Sequence, residues 1–348
     1  MNKCPNCFVT VPVPADRGPG RMRPITEPVP PPPPPPRDCP NPACQRPYPP
    51  GWHDAGTTSI VMAGASAAGK SIYLAVMIKQ LEQYGVHVGM DVTALTPAVQ
   101  GVFEDNYLRP LYTERGIMQR TNPVAQEGAY QRESMVFRLV TRDNRRHHLV
   151  IRDVAGEDLE QPTEETAQRL AFFGQADHVF FLFDPLKIDE VQRQLRGLVP
   201  EQRIGEPAKR VLDTTLGLVQ AGTPRLAVIM SKFDTLQMLR AARWDGEYKS
   251  IMQNAGAAFF RDPGPLSSYN DVDSRLLDEE VRSLLILLGQ AQFVAAVERA
   301  TRRSEHRFFA VSALGDPPNG EFLNSRGIAP FRCLDPLRWA LAGTGIMG

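Results

Sequence analysis

Nothing in this chain of 348 residues narrows its possible folds more than the octapeptide Gly64-Ala65-Ser66-Ala67-Ala68-Gly69-Lys70-Ser71. Its spacing is G-x-x-x-x-G-K-[ST]. Just before it, Ser59-Ile60-Val61-Met62-Ala63 is an apolar run that reads as a buried strand. After it, Leu74, Ala75, Ile78 and Leu81 recur at helical spacing, so Ser71 to Gln83 reads as a helix with Gly85 as its C-terminal stop. A Gly/Ala-rich turn with a stray Lys-Ser would carry the same letters, but it would not have a strand before it and a helix after it.

That context gives the stretch a chemistry. Gly64 and Gly69 allow backbone angles that other residues resist, so successive N–H groups can turn inward around an anion. The positive end of the helix points at the same place. Lys70 is placed to reach the outer phosphates of a nucleotide, and the Ser71 hydroxyl to ligate Mg²⁺.

The chain is long enough for one large domain or two ordinary ones, and its 42% apolar content can form a sizeable core. Its formal net charge is zero, which gives no reason to expect nucleic acid or an acidic membrane as a partner. No run approaches about 18 consecutive apolar residues, so no membrane span is expected. Met1-Asn2-Lys3-Cys4-Pro5 has no apolar core of a secretory signal, so the expected location is cytoplasmic.

Four of the five cysteines fall near the start, as Cys4-x-x-Cys7 and Cys39-x4-Cys44. In a reducing compartment two such pairs can give four thiolates to one tetrahedral, structural Zn²⁺. The second pair is slightly wide, and a reactive or disulfide-forming set is the other reading. Between the pairs runs Pro30 to Pro36, an extended polyproline rod that serves as a stiff spacer or as a ligand for an aromatic-lined groove. Residues 1–50 are therefore read as a proline-rich zinc-ribbon-like unit, and 51–348 as an α/β domain.

Within that domain, Gly89 to Glu133 has little periodicity and reads as long loop with short helices. Ser134–Thr141 and His148–Arg152 read as an antiparallel strand pair around an Asp143-Asn144 turn. The second strand runs into Asp153-Val154-Ala155-Gly156-Glu157-Asp158, which offers a carboxylate for Mg²⁺ and a glycine N–H for a γ-phosphate. Continuous apolar runs at His178–Phe183, Leu226–Met230 and Phe308–Val311 read as strands covered on both faces. Alternation with helices makes the sheet mostly parallel. Met230 leads into Ser231-Lys232-Phe233-Asp234, and Val311 into Ser312-Ala313-Leu314. There Asp234 could take two N–H groups of guanine, the Lys232 stem could cover the base, and an N–H near Ala313 could meet the guanine oxygen. Leu284–Leu288 reads as a buried helix, Arg299–Arg307 as a solvated helix face, and Leu334–Leu341 as a short closing helix.

The order Gly64–Ser71, Asp153–Gly156, Ser231–Asp234, Ser312–Leu314 resembles the motif set of the Ras-like, translation-factor-related (TRAFAC) class of P-loop GTPases, over about Thr57 to Leu314. More narrowly, the cysteine-bearing start, Asp153–Asp158 and Asp335-Pro336-Leu337 look like bacterial double-GTPase-type proteins of multi-protein systems. The resemblance implies a six-stranded Ras-like sheet with helices on both faces and a helical insertion at about 235–305 before the last strand. It implies a GTP-binding switch acting on protein partners. It implies that the water-orienting role falls to Glu157, and the Mg²⁺- and γ-phosphate-sensing threonine to Thr121, with Thr113 as second choice. The sequence departs from the pattern at Ser231, where Asn is usual, and at Glu157, where Gln is usual. Glu157 would face a negative phosphate, so hydrolysis is expected to be slow or partner-dependent. A P-loop ATPase and a non-catalytic nucleotide-binding assembly module are the alternatives.

Overall fold

The structure, a computed structural model, describes residues 2–11, 34, 36–117, 133–160, 164–195, 208–237, 252, 254–318, 320 and 322–347. Two short strands, β1 (Asn2–Lys3) and β2 (Thr10–Val11), pair antiparallel near the start. The main sheet is built from β3 (Gly56–Gly64), β4 (Asp91–Ala94), β5 (Met135–Val140), β6 (Arg146–Asp153), β7 (His178–Phe183), β8 (Arg225–Met230) and β9 (His306–Ala310). Among the described residues its order is β4-β5-β6-β3-β7-β8-β9. Strands β6, β3, β7, β8 and β9 are mutually parallel, and β5 runs opposite to both its neighbours. Every residue of β7 is buried, as are nearly all of β3 and β8, so both faces of the sheet's centre are covered. β3 lies between β6 and β7, and the chain leaves it toward either side. That is the kind of switch point where ligands enter at the carboxyl ends of strands.

The fold is mixed α/β and mostly parallel, but among the described residues its main sheet has seven strands where six were expected. The added one is β4, a four-residue edge strand with alternating exposure, recognisable as a strand only through its pairing with β5 (Asp91↔Val140, Ala94↔Phe137). Gly85 is not a helix stop. Helix α1 runs from Lys70 to Val88, and Gly89, at φ 72°, forms its cap with an N–H bond to the Gly85 carbonyl. Gly85 is needed for close approach instead, since a Cβ there would lie 2.5 Å from the Met90 carbonyl oxygen.

The stretch after β4 is also more ordered than a long loop. Helix α2 (Pro97–Phe103) is capped by the Thr96 hydroxyl, which accepts from the Val99 N–H, and passes directly into a π-helix over Glu104–Thr113. Residues 118–132, Thr121 with them, lie outside the described residues, as does most of the proline run. Between β8 and β9 lie the helices Asp271–Leu287 and Ala291–Ala300. Leu284 and Leu285 of the first are buried, whereas Ile286 is 44% exposed. The basic run is not all solvated surface. Arg307 is buried in β9 and donates to the Tyr269 hydroxyl, Asp271 Oδ1 and Ser274 Oγ, each at 2.9 Å. The closing helix spans Asp335–Leu341. Among the described residues no helix is long and apolar enough to cross a membrane.

Candidate functional site

β3 delivers its last residue, Gly64, at φ 142°, with so little room that a Cβ would lie 2.4 Å from the Leu182 carbonyl oxygen. The loop then passes through Ala67 at φ 61° and Gly69 at φ 88° before α1 begins at Lys70. These positive angles keep the loop wrapped around its own centre. Lys70 folds into that centre, where Nζ donates to the carbonyls of Gly64 at 2.8 Å and Ala65 at 3.0 Å. Burial pulls its ammonium below the ordinary lysine range, against the opposing pull of Asp153, Glu157 and Glu160.

Asp153, the last residue of β6, is buried beside the loop. Its Oδ2 accepts from Ser71 Oγ at 3.0 Å and from the Tyr107 hydroxyl at 3.2 Å. Oδ1 is buried with no hydrogen-bond partner among the described residues. Burial raises the carboxyl above its usual range, and Lys70, Ser71 and Tyr107 work against that rise. A buried carboxylate oxygen left open beside a hydroxyl is a donor set that suits a hard cation such as Mg²⁺.

Helix α3 (Gly156–Glu160) lies against the loop. Gly156 is so close that a Cβ would sit 2.2 Å from the Ser66 nitrogen. Glu160 Oε1 accepts from the Ser66 N–H at 3.1 Å, and Glu157 Oε1 accepts from the Ser66 hydroxyl at 3.0 Å. Two carboxylates therefore rest on the loop at Ser66.

One cavity of about 390 Å³ opens at this edge of the sheet. Ser66 through Ser71 form one wall and Gly156 and Glu157 another. The far end is formed by Lys232, Asp234, Ala313 and Leu314. Asp234 Oδ1 accepts from Ser312 Oγ at 2.5 Å, and that hydroxyl also takes the Gly315 N–H at 2.9 Å. Burial raises the Asp234 carboxyl, while the Ser312 hydrogen bond lowers it. Lys232, at φ 51°, lines the cavity with its stem and ends on Asp184 at 2.7 Å. Gly64, Ala65, Asp153 and Ser312 stand behind the lining residues and hold them. Thr113, at the end of the π-helix, is exposed and does not line the cavity.

Three neighbours of the site were missed in the sequence. Tyr107 lies on a short apolar stripe with Phe103 and Leu111 that Pro110 interrupts. Glu160 is one acidic residue among several after Gly156. Asp184 carried the best signal, an Asp-Pro directly after an apolar strand, where its carboxylate also caps the Leu186 N–H.

The cysteines form a second site. The ligand atoms of Cys4, Cys7, Cys39 and Cys44 all lie within 4.8 Å of one another. Cys4 and Cys44 Sγ are 3.9 Å apart, and Cys7 and Cys39 Sγ 3.5 Å. Four sulfurs around a metal at about 2.3 Å would be about 3.8 Å apart, so the set fits a tetrahedral ion of the Zn²⁺ kind. The hydrogen bond from Cys4 draws the Cys7 thiol down to about 5, toward the thiolate a metal needs. The cluster docks on the domain through Lys3, whose N–H donates to Thr57 Oγ1 at 2.9 Å and whose ammonium meets Asp177 at 2.7 Å. Trp52 Nε1 donates to the Lys3 carbonyl at 3.0 Å, and Arg152 Nη1 to the Asn6 carbonyl at 2.9 Å.

These features define a class: a mostly parallel α/β protein with a G-x-x-x-x-G-K-[ST] loop at the carboxyl edge of its central strand and a four-cysteine cluster packed on the domain. No protein-family model matches the chain. It is 39% identical over 388 residues, covering 100% of each chain, to a Mycolicibacterium smegmatis protein named "Putative ESX-1 scaffolding and assembly protein SaeC". The chain belongs to the SaeC family. Among solved structures, the septin GTPase domain of Chlamydomonas reinhardtii is similar at a TM-score of 0.35 and 10% identity, over 84% of this chain and 92% of that one. The GTP-bound Ski7 GTPase-like domain of S. cerevisiae aligns at 0.31 and 10%, over 84% and 50% of the two chains. A bacterial selenocysteine-specific elongation factor aligns at 0.27 and 12%, over 73% of this chain and 26% of its own length. At such scores neither fold nor activity follows from the likeness.

Proposed function

We propose that this chain is a GTP-binding switch protein of an assembly system. In this reading it holds GTP with Mg²⁺, hydrolyses it slowly or with a partner's help, and engages other proteins according to the nucleotide it carries. One observation carries the reading: Lys70, Gly156, Lys232, Asp234 and Ala313, far apart in sequence, converge on a single cavity. The Ser66–Ser71 N–H groups and the start of α1 would take the phosphates. Lys70 would exchange its two loop carbonyls for phosphate oxygens. Ser71 Oγ and the open oxygen of Asp153 would hold Mg²⁺, which offsets phosphate charge. Asp234, braced by Ser312, would accept two N–H groups of guanine, and adenine would leave that buried carboxylate unmatched. Glu157, a carboxylate facing the outer phosphate, supports slow turnover. The name of the M. smegmatis relative, a scaffolding and assembly protein, supports protein partners and an assembly role. The cysteine cluster would hold structural Zn²⁺.

Fluorescent GTP and ATP analogues, titrated with and without Mg²⁺, test the reading. Mg²⁺-dependent binding with GTP preferred is expected. A tenfold preference for ATP would overturn the base assignment, and absence of binding the whole proposal. A second reading, an assembly module that does not turn nucleotide over, is favoured by the two glutamates seated on Ser66. It stands if Lys70→Ala leaves assembly intact and the wild type shows no turnover with its partners present.

A further inference from the structure

The π-helix over Glu104–Thr113 is of a rare kind that concentrates at functional sites. Pro110 lies inside it and has no N–H to donate, so an ordinary helical ladder cannot run through. The turn closes on wider bonds, such as Glu114 N–H to the Arg109 carbonyl at 2.9 Å. Tyr107, Leu108 and Leu111 are the buried residues of this segment. The Tyr107 ring stacks on Phe103 (centroids 5.6 Å apart, planes at 27°), and Phe103 meets Phe137 of β5 edge-on at 5.2 Å. The ring is thus clamped, and its hydroxyl reaches Asp153 Oδ2.

Two hydroxyls on one oxygen fix the plane of the Asp153 carboxylate and leave Oδ1 as the open oxygen. The Ser71 hydroxyl can donate to Oδ2 while its lone pair takes the cation, so the two hydroxyls would hold Oδ2 together. Tyr107 comes from a different element, and its ring is held by Phe103. We infer that Tyr107 is a positioning residue that holds Asp153 in the orientation required to bind Mg²⁺ with nucleotide. This inference rests on the reading of Asp153 and Ser71 given above. The same segment continues to Gly116, which bridges to Phe322, and to Ile117, which lines the cavity. The tether on the carboxylate and part of the cavity wall therefore belong to one stretch of chain.

The test uses the full chain, Tyr107→Phe, and a fluorescent GDP analogue, with MgCl₂ titrated against EDTA. Removing a hydrogen-bond partner of a metal ligand typically weakens metal binding about 10–100-fold. The half-saturating Mg²⁺ concentration should therefore rise by roughly tenfold or more. Nucleotide affinity in EDTA and the thermal midpoint should match the wild type, since the ring is kept. An unchanged Mg²⁺ titration overturns the role of Tyr107 while leaving the site intact. A wild type whose nucleotide binding ignores Mg²⁺ overturns the site reading itself, and this inference with it. If the variant does not fold, 3-fluorotyrosine placed at position 107 in otherwise wild-type protein replaces it. Its ¹⁹F resonance should shift along the Mg²⁺ titration in the presence of nucleotide, and a resonance that stays still overturns the inference.

Discussion

Gly156 is a glycine because of the space beside it. Its partner across the gap is backbone, the Ser66 nitrogen, which a Cβ would meet at 2.2 Å. Backbone cannot swing aside as a side chain can, so Gly156→Ala should push the loop out of shape. Overpacking of this kind costs about 1–3 kcal/mol, which is roughly five- to 150-fold in affinity if it falls on the bound state. Titration with a fluorescent nucleotide should show that loss, and wild-type affinity would mean that the loop and α3 separate freely. A second expectation comes from the buried histidines of β6 and β7. Burial holds His147 and His148 down to about 4, and His178 to about 3. In the unfolded chain each would titrate near 6.5, so between these values the unfolded state binds more protons and stability falls as pH drops. The urea midpoint should therefore decline from pH 7 to pH 5, by on the order of a few kcal/mol for the three together. His148→Phe, which keeps a ring stacked on Trp52 (4.6 Å between centroids in the wild type), should lessen the decline. An equal decline in the variant would remove His148 from the account.

At the scale of elements, what could be read from sequence follows from period and burial. The six strands that carry the core show as apolar runs because they are buried on one face or both. β4 is a half-exposed edge of four residues, and its pattern Asp-Val-Thr-Ala says little until β5 lies beside it. Phe103, Tyr107 and Leu111 stand four residues apart, on a helical stripe, but Pro110 within it breaks the pattern of an ordinary helix. The glycine loop, Asp153 and Asp234 could be picked out as candidates because each follows or ends an apolar strand, and the structure brings them to one edge of the sheet. Tyr107, Glu160 and Asp184 reach the site through the fold, which no local spacing records. The position of α3 makes its own prediction. Glu160 and Glu157 rest on Ser66, and if the loop takes phosphates as proposed they would have to yield, their charge opposing an arriving nucleotide. Glu160→Gln keeps an oxygen for the Ser66 N–H and removes the charge. Nucleotide association by stopped flow should then speed up by roughly tenfold at low ionic strength, with the gain shrinking as salt rises. A rate that does not change would mean that α3 is no barrier.

For the whole molecule, the cysteine cluster and the candidate nucleotide site meet the sheet at different places. Lys3 bonds to Thr57, at the start of β3, whereas the glycine loop follows Gly64. Strand rise alone puts these ends roughly 25 Å apart. The cluster also reaches the next strand through Arg152, whose guanidinium lies 3.9 Å over the Phe172 ring. Alternation along β6 sends Arg152 and Asp153 to opposite faces, so that contact does not touch the open oxygen of Asp153. A metal held by the four cysteines would supply order to a unit whose own apolar cluster is small, and would help Lys3, Phe8 and Trp52 to stay docked. Cys4→Ser combined with Cys7→Ser should therefore lose about one equivalent of zinc, read by metal analysis. Loss of docking worth a few kcal/mol should lower the thermal midpoint by about 5 °C or more. Nucleotide affinity should stay within about threefold of the wild type, a change smaller than about 1 kcal/mol. An unchanged metal content would remove zinc from the account. A collapse of nucleotide binding with the fold intact would mean that the cluster acts on the loop through Arg152 and β6, and that the two sites are one device.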